Sequence, residues 1–191
     1  METNLSTKQK LKITGFSLLF FSIFEVLGFF STQLIYALAL YPREVHGMTG
    51  ILTSVFVHKD LHHFATNMLT FAILNFLLLG EGFKRYSIIM LGVVFGTGLL
   101  VWFFARSGAH VGASGVIYGL FGYLVVHGFV SRRWDAFFIS CLLIFIYGGL
   151  FWGVLPVAGF ISWESHLFGL IIGVLLAWQF RAKSSHTPLP R

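Results

Sequence analysis

Apolar residues fill six long stretches of this chain, near 13–36, 62–80, 86–105, 112–130, 135–155 and 163–180, separated by short polar segments. A helix needs about 20 apolar residues to cross a hydrocarbon core of about 30 Å, so each stretch predicts one membrane-spanning helix. The first stretch follows Lys8, Lys10 and Lys12, as a signal peptide would. It is too long for the apolar centre of such a peptide, and no cleavage site of small residues follows it. It is therefore read as a retained helix. There is no internal repeat, low-complexity tract or long linker. The expected organisation is an N-terminal tail (1–12), one six-helix domain (13–182) and a C-terminal tail (183–191), with no room at either end for a further cytoplasmic domain.

Composition turns this pattern into a statement about solvent. The 191 residues are 57% hydrophobic and only 10% charged, where a soluble domain carries about a quarter charged residues. With 23 Phe, there is more apolar surface than one soluble core could bury, which predicts an all-α membrane protein with the lipid bilayer as its surroundings. The single Cys141 excludes an internal disulfide. Lys and Arg set the orientation. Lys8, Lys10, Lys12, Lys84, Arg85, Arg132, Arg133, Arg181, Lys183 and Arg191 fall on one side of the predicted bundle, against Arg43, Lys59 and Arg106 on the other. Both termini are thus expected in the cytoplasm. The net charge of +6 is a topology signal and gives no reason to expect nucleic acid as a partner.

With both ends inside, the second, fourth and sixth spans all run from the outer face inward, so their first turns share one depth. Those turns hold most of the unusual polar residues: HKDLHHFATN (58–67), GASG (112–115) and WESH (163–166). Three distant segments thereby bring His63, Asn67, Ser114 and His166 to one layer. His63 and Asn67 are four apart and share a helix face, as do Ser114 and Tyr118. Gly115 and Gly119 on the fourth span, and Gly169 and Gly173 on the sixth, are small-xxx-small pairs that let backbones approach closely. Packing through these glycines would bring Ser114 within hydrogen-bond reach of His166.

That placement suits nucleophilic catalysis. A serine hydroxyl needs a base to take its proton, and neutral imidazole serves near pH 7. Ser114 lies near a helix N-terminus, where free N–H groups favour negative charge, with His63 and the Asn67 amide as further donors for an oxyanion. Glu164 lies on roughly the opposite side of its helix from His166, so the expected unit is a dyad. The plain alternative is that Ser114 serves helix packing, since G-x-S-G alone is a weak motif in a chain with 21 Gly. Convergence of the three segments at one depth favours the catalytic reading.

At these residues the chain resembles the rhomboid family of intramembrane serine proteases. The resemblance lies in Gly112-Ala113-Ser114-Gly115 opening the fourth span, His63-x-x-x-Asn67 in the second, and Ser165-His166-Leu167-Phe168-Gly169 in the sixth. It covers nearly the whole chain and implies a six-transmembrane-helix rhomboid-like bundle of the basic bacterial kind, in a bacterial cytoplasmic membrane. It implies Ser114 as nucleophile and His166 as general base, with His63, Asn67 and the Ser114 backbone N–H forming the oxyanion hole. Tyr118 would pack against His166, and His58 would correspond to a structural histidine of the family. The implied partners are single-pass transmembrane proteins cleaved near the outer membrane face. No metal or organic cofactor is implied. One departure is the first outer loop, YPREVHGMTGILTSVF (41–56), which has Arg43-Glu44 where some relatives carry a Trp-Arg pair.

Four other readings compete. His58-x-x-x-His62-His63 resembles the histidine box of membrane di-iron oxygenases, but the remaining histidines are scattered. A zinc site from His58, His62 and Glu164 has no recognised spacing, and H-E-x-x-H is absent. An aspartyl mechanism fails because Asp60 and Asp135 stand at opposite ends of the bundle. A non-catalytic rhomboid-like binder of transmembrane helices would use the same polar notch. Two intramembrane groups stand outside the motifs: Glu25, midway along the first span and expected to be structural, and His127, expected to serve packing or the interface. The fifth span is rich in bulky residues (Phe137, Phe138, Phe145, Phe151, Trp152), and with the loop GVLPVAGFIS (153–162) it is the expected route of substrate access.

Overall fold

A computed structural model describes residues 5–156 and 162–181. Among them there is no β-strand, and the architecture is an all-α membrane bundle. Its helices are α1 (Thr7–Phe30), α2 (Thr32–Leu38), α3 (Gly50–Thr53), α4 (Leu61–Leu78), α5 (Phe83–Phe104), α6 (Ser114–Val130), α7 (Trp134–Tyr147) and α8 (Trp163–Gln179). Four segments are by themselves long and apolar enough to cross a membrane: Thr7–Phe30, Leu61–Glu81, Phe83–Phe104 and Trp134–Val154. Helices α6 and α8 have 17 residues each.

Three boundaries differ from those the sequence predicts. Helix α1 starts at Thr7 because Ser6 and Gln9 form a capping box, with the Gln9 N–H donating to Ser6 Oγ. It ends at Phe30 because Ser31 is extended and caps α2, accepting the Leu34 N–H. The apolar run continues through this break, so hydropathy alone hides it. The fifth span is α-helical only to Tyr147 and then tightens into a 3₁₀ segment, Gly148–Val154.

Helix α6 forms the axis of the bundle: every residue from Ser114 to Leu124 is buried. It meets α8 backbone to backbone. A Cβ on Gly169 would run into the Gly115 carbonyl, and one on Gly173 into the Gly119 carbonyl. Helix α5 packs on α8 at Gly92 and Gly96, which face Leu176 and Ile172, while its Gly98 accommodates Ile51 of α3. Helix α7 is held mainly near its start. Gly128 of α6 gives room to Ser140, whose hydroxyl donates towards the carbonyls of Leu124, Val125 and Ala136. At the same end Glu81 accepts from Arg85 (2.9 Å) and Arg133 (3.1 Å), with His127 Nε2 at 3.2 Å. His127 thus lies in a packing network remote from Ser114, stacked on Tyr123.

The loop 41–56 is tied down. Arg43, in the left-handed region (φ 61°), donates from its guanidinium to the carbonyls of Phe103 and Ala105 at the end of α5. Trp102 Nε1–H donates back to the Glu44 carbonyl, so the tryptophan contact to this loop comes from α5. Leu40 and His110 exchange two backbone hydrogen bonds, which fastens the segment before α6 to the chain leaving α2.

Candidate active site

Local structure sets the approach to Ser114. Gly112 has φ +109°, a backbone conformation that costs glycine little. A Cβ there would also stand 2.8 Å from His63 Cε1 and 3.6 Å from Asn67 Nδ2. Gly112 therefore supplies both the turn and the room for two α4 side chains to close on it. The Gly112 N–H donates to the Ser54 carbonyl (2.9 Å) and the Ala113 N–H to His58 Nε2 (3.3 Å), and Ser114 follows as the first residue of α6. His63 and Asn67 come from the first two turns of α4, which Asp60 caps by accepting the His63 N–H at 2.8 Å. That bond holds the Asp60 carboxyl below its ordinary range.

The α6–α8 seam delivers the central pair. Ser114 Oγ lies 2.9 Å from His166 Nε2, and His166 Nδ1 lies 2.8 Å from the Gly153 carbonyl. A carbonyl only accepts, so the proton sits on Nδ1 and Nε2 is free to accept from the serine hydroxyl. Tyr118, one turn after Ser114, stacks flat on the imidazole with centroids 4.2 Å apart and planes 4° from parallel. The group orienting His166 is thus a main-chain oxygen from the 3₁₀ segment, which a survey of side chains does not find. Glycine is required there, since a Cβ on Gly153 would collide with the Tyr118 hydroxyl and stand 3.4 Å from His166 Nδ1.

Donors gather on the other side of Ser114. Asn67 Nδ2 is buried and, among the described residues, has no hydrogen-bond partner. An unpaired buried donor is costly and calls for an explanation. The first N–H groups of α6 are likewise free of helical partners. His63 is half-buried and packs edge-on to His58, with centroids 5.3 Å apart.

Behind the serine, His110, Ser162 and Ser165 form a chain that sequence reasoning passed over. The Arg106 carbonyl accepts from His110 Nε2–H (2.9 Å), so His110 Nδ1 accepts from the Ser162 hydroxyl (2.5 Å). Ser162 Oγ in turn accepts from Ser165 at 2.6 Å. Burial is the main reason that the His110 imidazole is pushed below its ordinary pKa. A cavity of about 30 Å³ adjoins this chain, lined in part by Thr97, His110, Gly112, Gly115 and Ser165. Among the described residues Thr97 Oγ1 has no hydrogen-bond partner, and the space and polarity suit a water molecule.

The groups needed by the metal readings do not converge. His58 turns towards Glu25 and Ala113, Glu164 pairs with Arg106 (3.2 Å), and no cluster of three ligating side chains suited to a metal occurs among the described residues. Of the expected access region, Phe138, Phe145, Phe151 and Trp152 are exposed on α7 and the 3₁₀ segment, and residues 157–161 of the loop lie outside the described residues.

Comparison with known proteins gives one answer. The Rhomboid domain model matches residues 45–183. An uncharacterised protein of Mycobacterium tuberculosis is 32% identical over 151 residues, covering 74% of this chain and 62% of its own length. One from Mycobacterium leprae is 34% identical over 148 residues, covering 72% and 58%. RHOMBOID-like protein 1 of Arabidopsis thaliana is 33% identical over 142 residues, covering 71% and 35%. The chain therefore spans less than two thirds of each of these relatives.

Proposed function

The chain belongs to the rhomboid family, and on that premise we propose that it is an intramembrane serine endopeptidase working through a dyad of Ser114 and His166. The observation that carries this reading is the 2.9 Å contact of Ser114 Oγ with His166 Nε2, while Nδ1 is occupied by the Gly153 carbonyl. The imidazole is held in the tautomer and position a general base needs.

In this reading Ser114 Oγ attacks the scissile carbonyl carbon and its proton passes to His166 Nε2. The carbonyl oxygen becomes an oxyanion that takes up the unpaired Asn67 Nδ2–H, the Ser114 N–H and His63. His166 then protonates the leaving nitrogen, the C–N bond breaks, and an acyl-Ser114 ester remains. A water molecule loses a proton to Nε2 and attacks the ester carbon. Collapse releases the new carboxylic acid, which gives up its proton to water, and the proton on Nε2 returns to Ser114 Oγ. The polar cavity behind Gly115 is a source for that water inside an apolar bundle.

The substrates in this proposal are single-pass transmembrane proteins, cut near the outer face with both termini of the enzyme in the cytoplasm. A substrate helix must unwind there, because its carbonyls are otherwise hydrogen-bonded. Labelling of the purified protein by a fluorophosphonate tests the reading without a known substrate. Wild type should label, and Ser114→Ala and His166→Ala should each lose at least about 10³-fold in rate. An intact fold that does not label would move the assignment to a non-catalytic binder of transmembrane helices. Labelling that survives Ser114→Ala would mean a different serine.

A further inference from the structure

The catalytic reading leaves a half-buried intramembrane acid unused. Glu25 stands in the membrane-spanning part of α1, its side chain 16% exposed, where an isolated carboxylate is costly. Its surroundings are set by aromatic packing. Phe20, Phe21 and Phe24 of α1 all pack on Phe56, with centroids 5.1–5.4 Å apart. That cluster holds α1 against the turn two residues before His58 and brings Glu25 Oε2 to 3.3 Å from His58 Nδ1.

The other side of this imidazole fixes its proton. His58 Nε2 accepts the Ala113 N–H, so Nε2 carries no hydrogen and the ring is neutral. Its one proton must then lie on Nδ1, facing Glu25. The contact misses strict hydrogen-bond geometry, but His58 is wholly buried and Nδ1 has no other partner among the described residues. The Glu25 carboxyl, 3.3 Å from Nδ1, thus favours the same tautomer that the Ala113 N–H requires. With the opposite tautomer, His58 would present N–H to N–H at Ala113 and push that residue away.

We propose that Glu25, through His58, is a positioning residue for the nucleophile. A relay from the α1 carboxyl to the imidazole to the Ala113 N–H holds the backbone one residue before Ser114. Its consequence for activity rests on the reading of Ser114 as nucleophile; its effect on Ala113 does not. This gives a long-range role to a group that belongs to none of the motif-bearing segments.

The test uses the full chain as wild type, Glu25→Gln, Glu25→Leu and the double variant Glu25→Leu/His58→Ala. Amide exchange at Ala113 is read by NMR after alanine-selective ¹⁵N labelling, and fluorophosphonate labelling rates and thermal unfolding are measured beside it. Glu25→Leu should speed exchange at Ala113 about tenfold or more while Ala136 of α7 and Ala177 of α8 stay protected. It should also slow labelling about tenfold with little change in unfolding temperature. Glu25→Gln keeps an accepting oxygen and should restore most of both, and the double variant should be no worse than Glu25→Leu. Unchanged Ala113 exchange in Glu25→Leu overturns the proposal, as does exchange raised equally throughout the bundle. Faster Ala113 exchange with an undiminished labelling rate overturns the link to catalysis. If wild type does not label, Ala113 exchange still decides the relay, and what fails is the protease reading.

Discussion

The two helices that flank α6 are held in opposite ways. Helix α8 meets it through glycines whose backbones touch along the seam, whereas α7 buries only Ala136, Ser140 and Leu143. Beyond Leu143, Phe145 is 87% exposed and Trp152 76%. The rigid seam fixes Ser114 against His166, yet the oxygen that orients His166 belongs to Gly153, at the end of the loosely held side. The site is therefore half built on the stiffest contact of the molecule and half on one of its least packed segments. Placing Ser114 and orienting the His166 imidazole are separable tasks.

Substitutions can pull the two tasks apart. The largest effect should come from the seam: Gly169→Leu must separate α6 from α8, costing about 3 kcal/mol or more, and should abolish labelling together with the folded state. A thermal melt beside the labelling assay checks that both are lost at once. Next is Gly153→Ala, whose methyl meets the Tyr118 hydroxyl and crowds His166. It should slow labelling about 10²-fold while the unfolding temperature moves little, since the seam is untouched. Equal losses in both measurements would erase the distinction between the two regions.

Smaller and opposite in sign is Phe151→Ala or Trp152→Ala on the exposed side. Either should speed cleavage of a transmembrane substrate a few-fold at an unchanged labelling rate, because access widens and the dyad stays in place. Unchanged cleavage of every substrate would remove this side from the access route. Smallest is a pH effect at the Ser114 end of the seam. His110 is buried, near Arg106, Arg43 and Glu164, and its pKa is lowered, so unfolded chains take up a proton that the folded one resists. Its contribution to stability is complete above about pH 6.5 and is lost as the pH falls towards the folded value. Unfolding measured across that range should show a shallower acid loss for His110→Gln than for wild type.

Much of this arrangement is legible before any coordinates. The periodic glycines on two spans foretell the α6–α8 contact, because helix spacing puts Gly115 and Gly119 on one stripe, and Gly169 and Gly173 on another. Charge and depth put His63, Asn67, Ser114 and His166 in one layer. Other features leave no trace in residue identity. Gly153 contributes a main-chain oxygen, and any residue has one. The break at Ser31 hides inside a continuous apolar run, since a single serine outweighs local hydropathy only through its capping bond. Glu25 reads as an isolated acid because its partner lies 33 positions away, brought near by phenylalanines that look like ordinary membrane filling. His110, Ser162 and Ser165 form a chain only once the Leu40–His110 bridge has folded that segment back.

From Ser114 to Leu124 the α6 helix is wrapped in protein on every side. Bilayer thickness acts on a helix through the lipid it touches, by tilting it or stretching its surroundings. For this part of α6 that lever is missing. Thicker or thinner membranes will strain α1, α5 and α7, and of these α7 runs directly into the segment that carries Gly153. Lipid composition should therefore tune how His166 is oriented and, in the proposed protease, how substrate gets in, while Ser114 stays insulated from it.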